Sequence, residues 1–542
     1  MVTCLVSVPG AIRAACRATL RGKFMRNSKW AVVAVAAVTV SLLSGCDATT
    51  TNDGGPAEAE AAGYEPSFEP ATCPTPIAPG YPAADLGPEF ECGYLTVPEN
   101  RDDPGGASVR IAVARIPAVS STPEQVPIVY LNGGPGNSSL QIATGQVAAG
   151  MNADREVIFV DQRGTFHSEP SLACPEIDAF LAEAVTLPFP DPATTTQSNA
   201  ATTACRDRLV AEGIDLTAYN SVENSHDIAD LRVALGIEEW DVYGVSYGTD
   251  LALTVMRDHP EGVRAVVLDS VVPPNLNVIS EFWPTAADGY RALFDTCAAQ
   301  PACAAAYPEL EREFTDTVDR LSDTPLTVAI PDASGGTVEV VIDGYQLANI
   351  TLLLLASGPE RWSHAPDMIH RLAQGDGVSA ATFIKNYVPP AGWIGLGLQW
   401  GVFCGEFGVV ADPDEVLAHA RTVLPGFPDE TLAFLPQVPW FFDDCAIWDV
   451  GDAGVAARAP VESDIPTLIM AGTFDAVTAP TWGEALTGLS DSQTVAFPGL
   501  GHHVFNQSPC AAEVMNNFLT DPDAAVDDSC VEGMTLPTIV TP

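Results

Sequence analysis

Basic residues are scarce in this chain of 542 residues: 24 Lys and Arg stand against 70 Asp and Glu, a formal charge of −46. Six of the basic residues (Arg13, Arg17, Arg21, Lys23, Arg26 and Lys29) lie in the first 46 positions, which hold no acid, so the rest carries −52. A surface that negative repels phosphates and excludes nucleic acid as a partner. Long apolar runs are missing too. The stretch 31–43 has thirteen apolar or small positions, short of the roughly 20 that a membrane-spanning helix needs. No CxxC pair occurs, which argues against zinc ribbons and thioredoxin-like redox sites; no metal or organic cofactor is implied. There is no internal repeat. What is present is apolar content of 47% with only 17% charged residues, enough for a large core and unlike a disordered acidic polymer, a collagen or a coiled coil.

The apolar stretch follows Arg26 and Lys29 and fits the hydrophobic region of a secretory signal. Leu43-Ser44-Gly45-Cys46 then resembles a lipobox, in which Cys46 is lipidated and becomes the mature N-terminus. Residues 1–45 read as the address, with Met25 a plausible true start, and an ordinary signal peptide is the alternative. Residues 46–70, rich in Thr, Ala, Glu, Gly and Pro, form a tether that buries too little surface to fold. The expected location is extracytoplasmic, at the membrane through a lipid on Cys46. Setting aside Cys4, Cys16 and Cys46 leaves ten cysteines, an even number that favours disulfides outside the cytoplasm. Sequence does not fix connectivity; nearest-neighbour pairing gives Cys73–Cys92, Cys174–Cys205, Cys297–Cys303, Cys404–Cys445 and Cys510–Cys530.

Short apolar runs at Ile128–Leu131, Val157–Val160, Asp241–Tyr243, Val266–Leu268 and Thr467–Met470 read as buried parallel strands. Helical patterns lie between them. The clearest, Ser225–Leu235, places Ile228, Leu231 and Leu235 on one face, with Asn224 or Ser225 as N-cap and Gly236 as the stop. Alternation of this kind predicts an α/β fold, a mostly parallel doubly wound sheet. The pattern lapses over 276–460, which reads as an inserted, mainly helical cap dividing the core into 71–275 and 461–542. Such an insertion lies over the strands' carboxyl ends, where open α/β sheets bind ligands.

Gly244-Val245-Ser246-Tyr247-Gly248 follows one strand and precedes a helix, the pattern of a nucleophile elbow that raises the serine hydroxyl clear of the sheet. A serine nucleophile needs a base, and the base an orienting acid. Asp475 falls just past the strand Thr467–Met470, and His502 follows Pro498-Gly499-Leu500-Gly501 after the run Thr494–Phe497. His503 is the rival base and Asp269 the rival acid. The oxyanion hole calls for main-chain N–H donors: Tyr247, next to the nucleophile, and a glycine of Asn132-Gly133-Gly134-Pro135-Gly136, with Gly134 favoured over Gly133. A phosphate-binding reading of that loop is weak because no GxxxxGK follows.

Tyr130–Gly136, Asp161-Gln162-Arg163-Gly164-Thr165, Tyr243–Thr249, Gly472–Asp475 and Gly501-His502 together resemble the prolyl-iminopeptidase/tripeptidyl-aminopeptidase group of α/β-hydrolases, over about residues 85–540. The lipobox makes the likeness greatest to the exported actinobacterial cell-envelope branch. The resemblance implies a serine exopeptidase acting on peptides with a free N-terminus, with Ser246, Asp475 and His502 as triad. It implies that Asp161 and Arg163 form a structural ion pair near the site. Phe166-His167-Ser168 departs from the small or basic residues commoner in the group at that place. Glu406, in Phe403-Cys404-Gly405-Glu406, resembles the C-x-E element of exported relatives. If Cys404 pairs with Cys445, Glu406 comes close to Asp443 and Asp444, and Glu406 or Asp444 would anchor a substrate ammonium. The aromatics of 393–448 read mainly as cap core and partly as substrate lining. An esterase or endoprotease on the same triad, or an inactive envelope lipoprotein, are the competing readings.

Overall fold

The computed structural model describes residues 64–74, 86–124, 126–332, 335–388 and 391–542; the address, Cys46 and most of the tether lie outside the described residues. Nine strands of the described residues form one sheet: β1 (Ser67–Ala71), β2 (Glu91–Pro98), β3 (Ser108–Ile116), β4 (Ile128–Leu131), β5 (Val157–Val160), β6 (Trp240–Val245), β7 (Val263–Asp269), β10 (Thr467–Gly472) and β11 (Ser492–Phe497). Their order is β1-β2-β3-β5-β4-β6-β7-β10-β11. The first three pair antiparallel, and β3 meets β5 antiparallel. From β5 to β11 every pairing is parallel.

The short apolar runs become strands because both of their faces are covered. In β4, Val129 and Leu131 join one core while Ile128 and Tyr130 join another on the opposite face. The same alternation divides Ile158 and Val160 from Val157 and Phe159 in β5. Strands buried on two sides lose the polar alternation of a half-exposed sheet and read as continuous apolar runs. Strand β4 sits between β5 and β6, so the chain leaves it first to one side and later to the other. That reversal opens a crevice at the strands' carboxyl ends.

The helix expected over Ser225–Leu235 runs from Ser221 to Ala234. Its N-cap is Asn220, whose side chain accepts from the Glu223 N–H. The first turn is polar, so apolar periodicity hides it, whereas the capping Asn marks it. Gly236, at φ 66°, ends the helix as expected. Between β7 and β10 the chain is mainly helical, from Val278–Ala299 to Phe441–Trp448. It also holds a hairpin of β8 (Leu326–Pro331) and β9 (Thr337–Ile342) that the helical reading of 276–460 did not include. No helix among the described residues is long and apolar enough to cross a membrane.

Five disulfides join neighbouring cysteines: Cys73–Cys92, Cys174–Cys205, Cys297–Cys303, Cys404–Cys445 and Cys510–Cys530.

Candidate active site

Ser246 stands between β6 and the helix Tyr247–Asp258 with φ 56° and ψ −129°, a strained backbone for a residue with a side chain. The surroundings impose it. The Ser246 N–H donates to the Asp269 carbonyl at 3.0 Å, and its own carbonyl accepts from the Thr249 hydroxyl at 2.6 Å. A Cβ on Gly248 would stand 2.0 Å from the Leu131 carbonyl oxygen, so helix and strand close only on glycine here. The loop after β4 comes equally near: a Cβ on Gly133 would lie 2.6 Å from Ser246 Cβ. The Gly133 N–H is engaged by Asn132 Oδ1 at 2.9 Å, whereas Gly134 lines the cavity beside Ser246 and Tyr247.

Asp475 follows β10, and four donors converge on its carboxylate. Val477 N and Thr478 N reach Oδ1 at 2.9 Å each, the Thr478 hydroxyl reaches Oδ2 at 2.7 Å, and His502 Nδ1 lies 2.9 Å from Oδ2. Burial alone would raise this carboxyl; the His502 charge and the donated bonds outweigh burial and hold it below the ordinary range. For His502, burial pulls downward, but the charge and hydrogen bond of Asp475, with Asp269 adding, hold the imidazole above its ordinary value. The His502 N–H donates to the Ala356 carbonyl at 2.8 Å, fixing the loop that carries it. Gln507 clamps the same loop, accepting from Gly501 N at 2.8 Å and donating to the His502 carbonyl at 2.5 Å.

The rivals take scaffold roles. Asp269 accepts from Val504 N at 2.9 Å, Phe505 N at 3.0 Å and the Tyr243 hydroxyl at 2.7 Å, anchoring the segment after the histidines. His503 has φ 67°, and its N–H donates to Ser270 Oγ at 2.9 Å. Asp161 and Arg163 do not pair with each other, contrary to expectation. Arg163 grips Asp227 at 2.7 and 2.8 Å and donates to the carbonyls of Glu99 and Ala218. Asp161 accepts from Ser138 Oγ at 2.9 Å and faces His167 Nδ1 at 2.7 Å. The two side chains leave the turn toward different elements, and the departing His167 finds its seat on Asp161.

Ser246 and His502 share a cavity of about 640 Å³ with Gly134 and Tyr247. Most of its wall is apolar, Phe180, Phe282, Trp393, Trp400, Phe403 and Trp440 among it. The aromatics of the cap thus line the site more than expected, while Phe441 and Trp448 are core. Asp444 is the one ionisable carboxylate in that wall among the described residues. It is 4% exposed and holds the Thr202 hydroxyl at 2.7 Å on Oδ1. Burial pushes it up to about 7, the Thr202 bond opposing and Asp443 adding.

Glu406 does not line the cavity, which corrects the expectation that it meets a substrate amine. It is fully buried; one oxygen accepts from Ser221 N at 2.6 Å and the other from Ser221 Oγ at 2.9 Å. Ser221 Oγ in turn meets the Tyr247 hydroxyl at 2.9 Å. Burial drives the proton affinity of Glu406 upward, and that of the equally buried Asp250, where the Glu406 charge adds. The Cys404–Cys445 bond does form, but Glu406 turns behind the elbow while Asp444 turns into the cavity. Thr478 and Gln507 escaped the sequence reading. Asp475-x-x-Thr478 carried a usable signal, since an Asp with Thr three residues on is a common local capping pattern. No group of His, Cys, Asp and Glu among the described residues is arranged to hold a metal ion.

The order of these strands, the elbow at the end of β6 and the Asp475–His502 pair beyond β10 and β11 together define a serine-hydrolase scaffold with an inserted cap. Family comparison agrees: residues 126–325 match the model of the alpha/beta hydrolase fold and residues 433–530 that of TAP-like proteins. The chain has the α/β-hydrolase fold with a TAP-like C-terminal part and is an enzyme of the serine-hydrolase class. Among curated relatives it is 24% identical to the serine protease Hip1 of Mycobacterium tuberculosis over 474 residues, 82% of this chain and 88% of the relative. It is 33% identical to the tripeptidyl aminopeptidase of Streptomyces lividans over 211 residues, 36% of this chain and 38% of the relative. Carboxylesterase B of M. tuberculosis is 26% identical over 453 residues, 79% and 84% of the two chains. A solved proline iminopeptidase from Mycobacterium smegmatis aligns over 79% of this chain and 98% of its own at 17% identity, with a TM-score of 0.35.

Proposed function

We propose that the protein is a serine aminopeptidase that releases residues or short peptides from a free N-terminus. Ser246 Oγ attacks the scissile carbonyl while His502 takes its proton. Asp475 holds the imidazole in orientation and stabilises its charged form. The N–H groups of Tyr247 and Gly134 receive the developing oxyanion. His502 then protonates the leaving amine, and water releases the acyl group from Ser246. The observation that carries the peptidase reading is Asp444: a single carboxylate in a mostly apolar wall is suited to a substrate's α-ammonium. The serine protease and aminopeptidase relatives support the same reading.

Turnover of paired peptide anilides, one free and one N-acetylated, tests this in wild type and Asp444→Asn. Asparagine keeps the acceptor for Thr202 and removes the charge. KM for the free-amine substrate should rise about tenfold or more, the scale of a lost charge-assisted bond, with the acetylated substrate unchanged. Equal effects on both would overturn the reading. An esterase preference, suggested by the apolar cavity and by Carboxylesterase B, would instead show as faster turnover of short-chain nitrophenyl esters than of any free-amine anilide.

The five disulfides support a location outside the reducing cytoplasm. Attachment to the membrane through a lipid on Cys46 is part of the proposal. Cys46→Ala should release the protein from the membrane fraction; unchanged partitioning would refute the anchor.

A further inference from the structure

A second cavity, of about 520 Å³, adjoins the first and shares Asn137 and Trp393 with it. Its chemistry is different. Asn132, Asn137, Gln141, Gln146, His503 and Asn506 line it, and no Asp, Glu, Lys or Arg does. Asn137 Oδ1, Gln146 Oε1 and His503 Nε2 are buried without a hydrogen-bond partner among the described residues. Gln146 lines the cavity and is itself only 2% exposed. Asn506 Nδ2 stands 3.2 Å from His503 Nδ1; as the amide nitrogen only donates, the His503 proton sits on Nε2, which is then a donor. Two acceptors and one donor match the alternating N–H and C=O groups of an extended main chain.

We infer that this amide-lined cavity receives the main chain of the leaving peptide, the part of the substrate beyond the scissile bond. The inference rests on the peptidase reading above. The acyl portion occupies the apolar cavity toward Asp444, and the leaving nitrogen takes its proton from His502. The departing chain therefore runs out on the His502 side, where the next residue, His503, lines the second cavity. The missing cation adds a constraint. A terminal carboxylate inside this cavity would have no charged partner, in a chain whose formal charge is −46. Leaving groups that end inside it are disfavoured unless amidated, and longer chains that carry their carboxylate past it are accepted.

The test uses one acyl portion with four leaving groups: nitroanilide, amino-acid amide, dipeptide amide and dipeptide acid. In the wild type, kcat/KM for the dipeptide amide should exceed that for the dipeptide acid by about tenfold. Gln146→Leu and, independently, Asn506→Ala should each cut the dipeptide-amide value about fivefold or more, with nitroanilide turnover within about twofold of wild type. Dipeptide amide added during nitroanilide turnover should also capture the acyl-enzyme with saturation, and the variants should raise the half-saturating concentration. Equal losses on nitroanilide and dipeptide amide, no loss on either, or capture without saturation would overturn the inference alone. A wild-type enzyme that turns over none of the four substrates would overturn the peptidase reading itself.

Discussion

The sheet and the cap treat their buried carboxylates in opposite ways. Asp475, beyond β10, is met by two main-chain N–H groups, a hydroxyl and an imidazole, and is held ionised. Asp444, in the cap helix Phe441–Trp448, has the Thr202 hydroxyl and is pushed up to about 7. A carboxylate saturated with donors is fixed in charge and direction, as an orienting group must be. One with a single donor keeps capacity for a charged partner, which a binding group needs. On the proposed function, this difference separates chemistry, built on strand ends, from recognition, built on the helical insert.

The largest effect should come from breaking the sheet side. Ser246→Ala or Asp475→Asn should lower kcat by about 10⁴-fold or more on free and acetylated substrates alike, and Ser246→Ala should abolish labelling by a fluorophosphonate. An intermediate and selective effect belongs to the cap side, the rise in KM of Asp444→Asn for free amines only. Acidity sharpens the contrast further. His502 must be neutral to accept a proton, and its raised pKa places the acid limb of kcat/KM above the ordinary imidazole value of about 6.5 for every substrate. Asp444 must be ionised to hold an ammonium, so free-amine substrates should show an additional loss below about 7 that acetylated ones lack. The pH profiles of the paired anilides check both limbs. The smallest effect is expected from Glu406→Gln. This group acts through Ser221 and Tyr247 and not on the substrate, so it should lower kcat only severalfold, and equally for both substrates.

The same division governs what the sequence reveals. Ser246 follows its strand directly and Asp475 and His502 come within a few residues of theirs, so a strand and its next few residues locate them without reference to the rest of the chain. The strands themselves are legible because burial on both faces leaves uninterrupted apolar runs. In the cap, position depends on distant partners. The setting of Glu406 is made by Ser221, 185 residues away, and by Asp250, and nothing local announces that it turns behind the elbow. Asp161 and Arg163 stand two apart and look like a pair, yet each is claimed by a different helix or loop. The hairpin of β8 and β9 was readable: Leu326–Pro331 and Thr337–Ile342 flank Gly335-Gly336, and β-branched runs around a Gly pair signal a turn. It was obscured by the helical patterns on both sides.

The ten paired cysteines are joined two by two in chain order, over separations of 6 to 41 residues. In a polypeptide threaded through a membrane N-terminus first, the correct mate for each odd-numbered thiol is therefore the next one to emerge. Thiols oxidised in order of arrival reach the native set without exchange, the slow step of disulfide rearrangement.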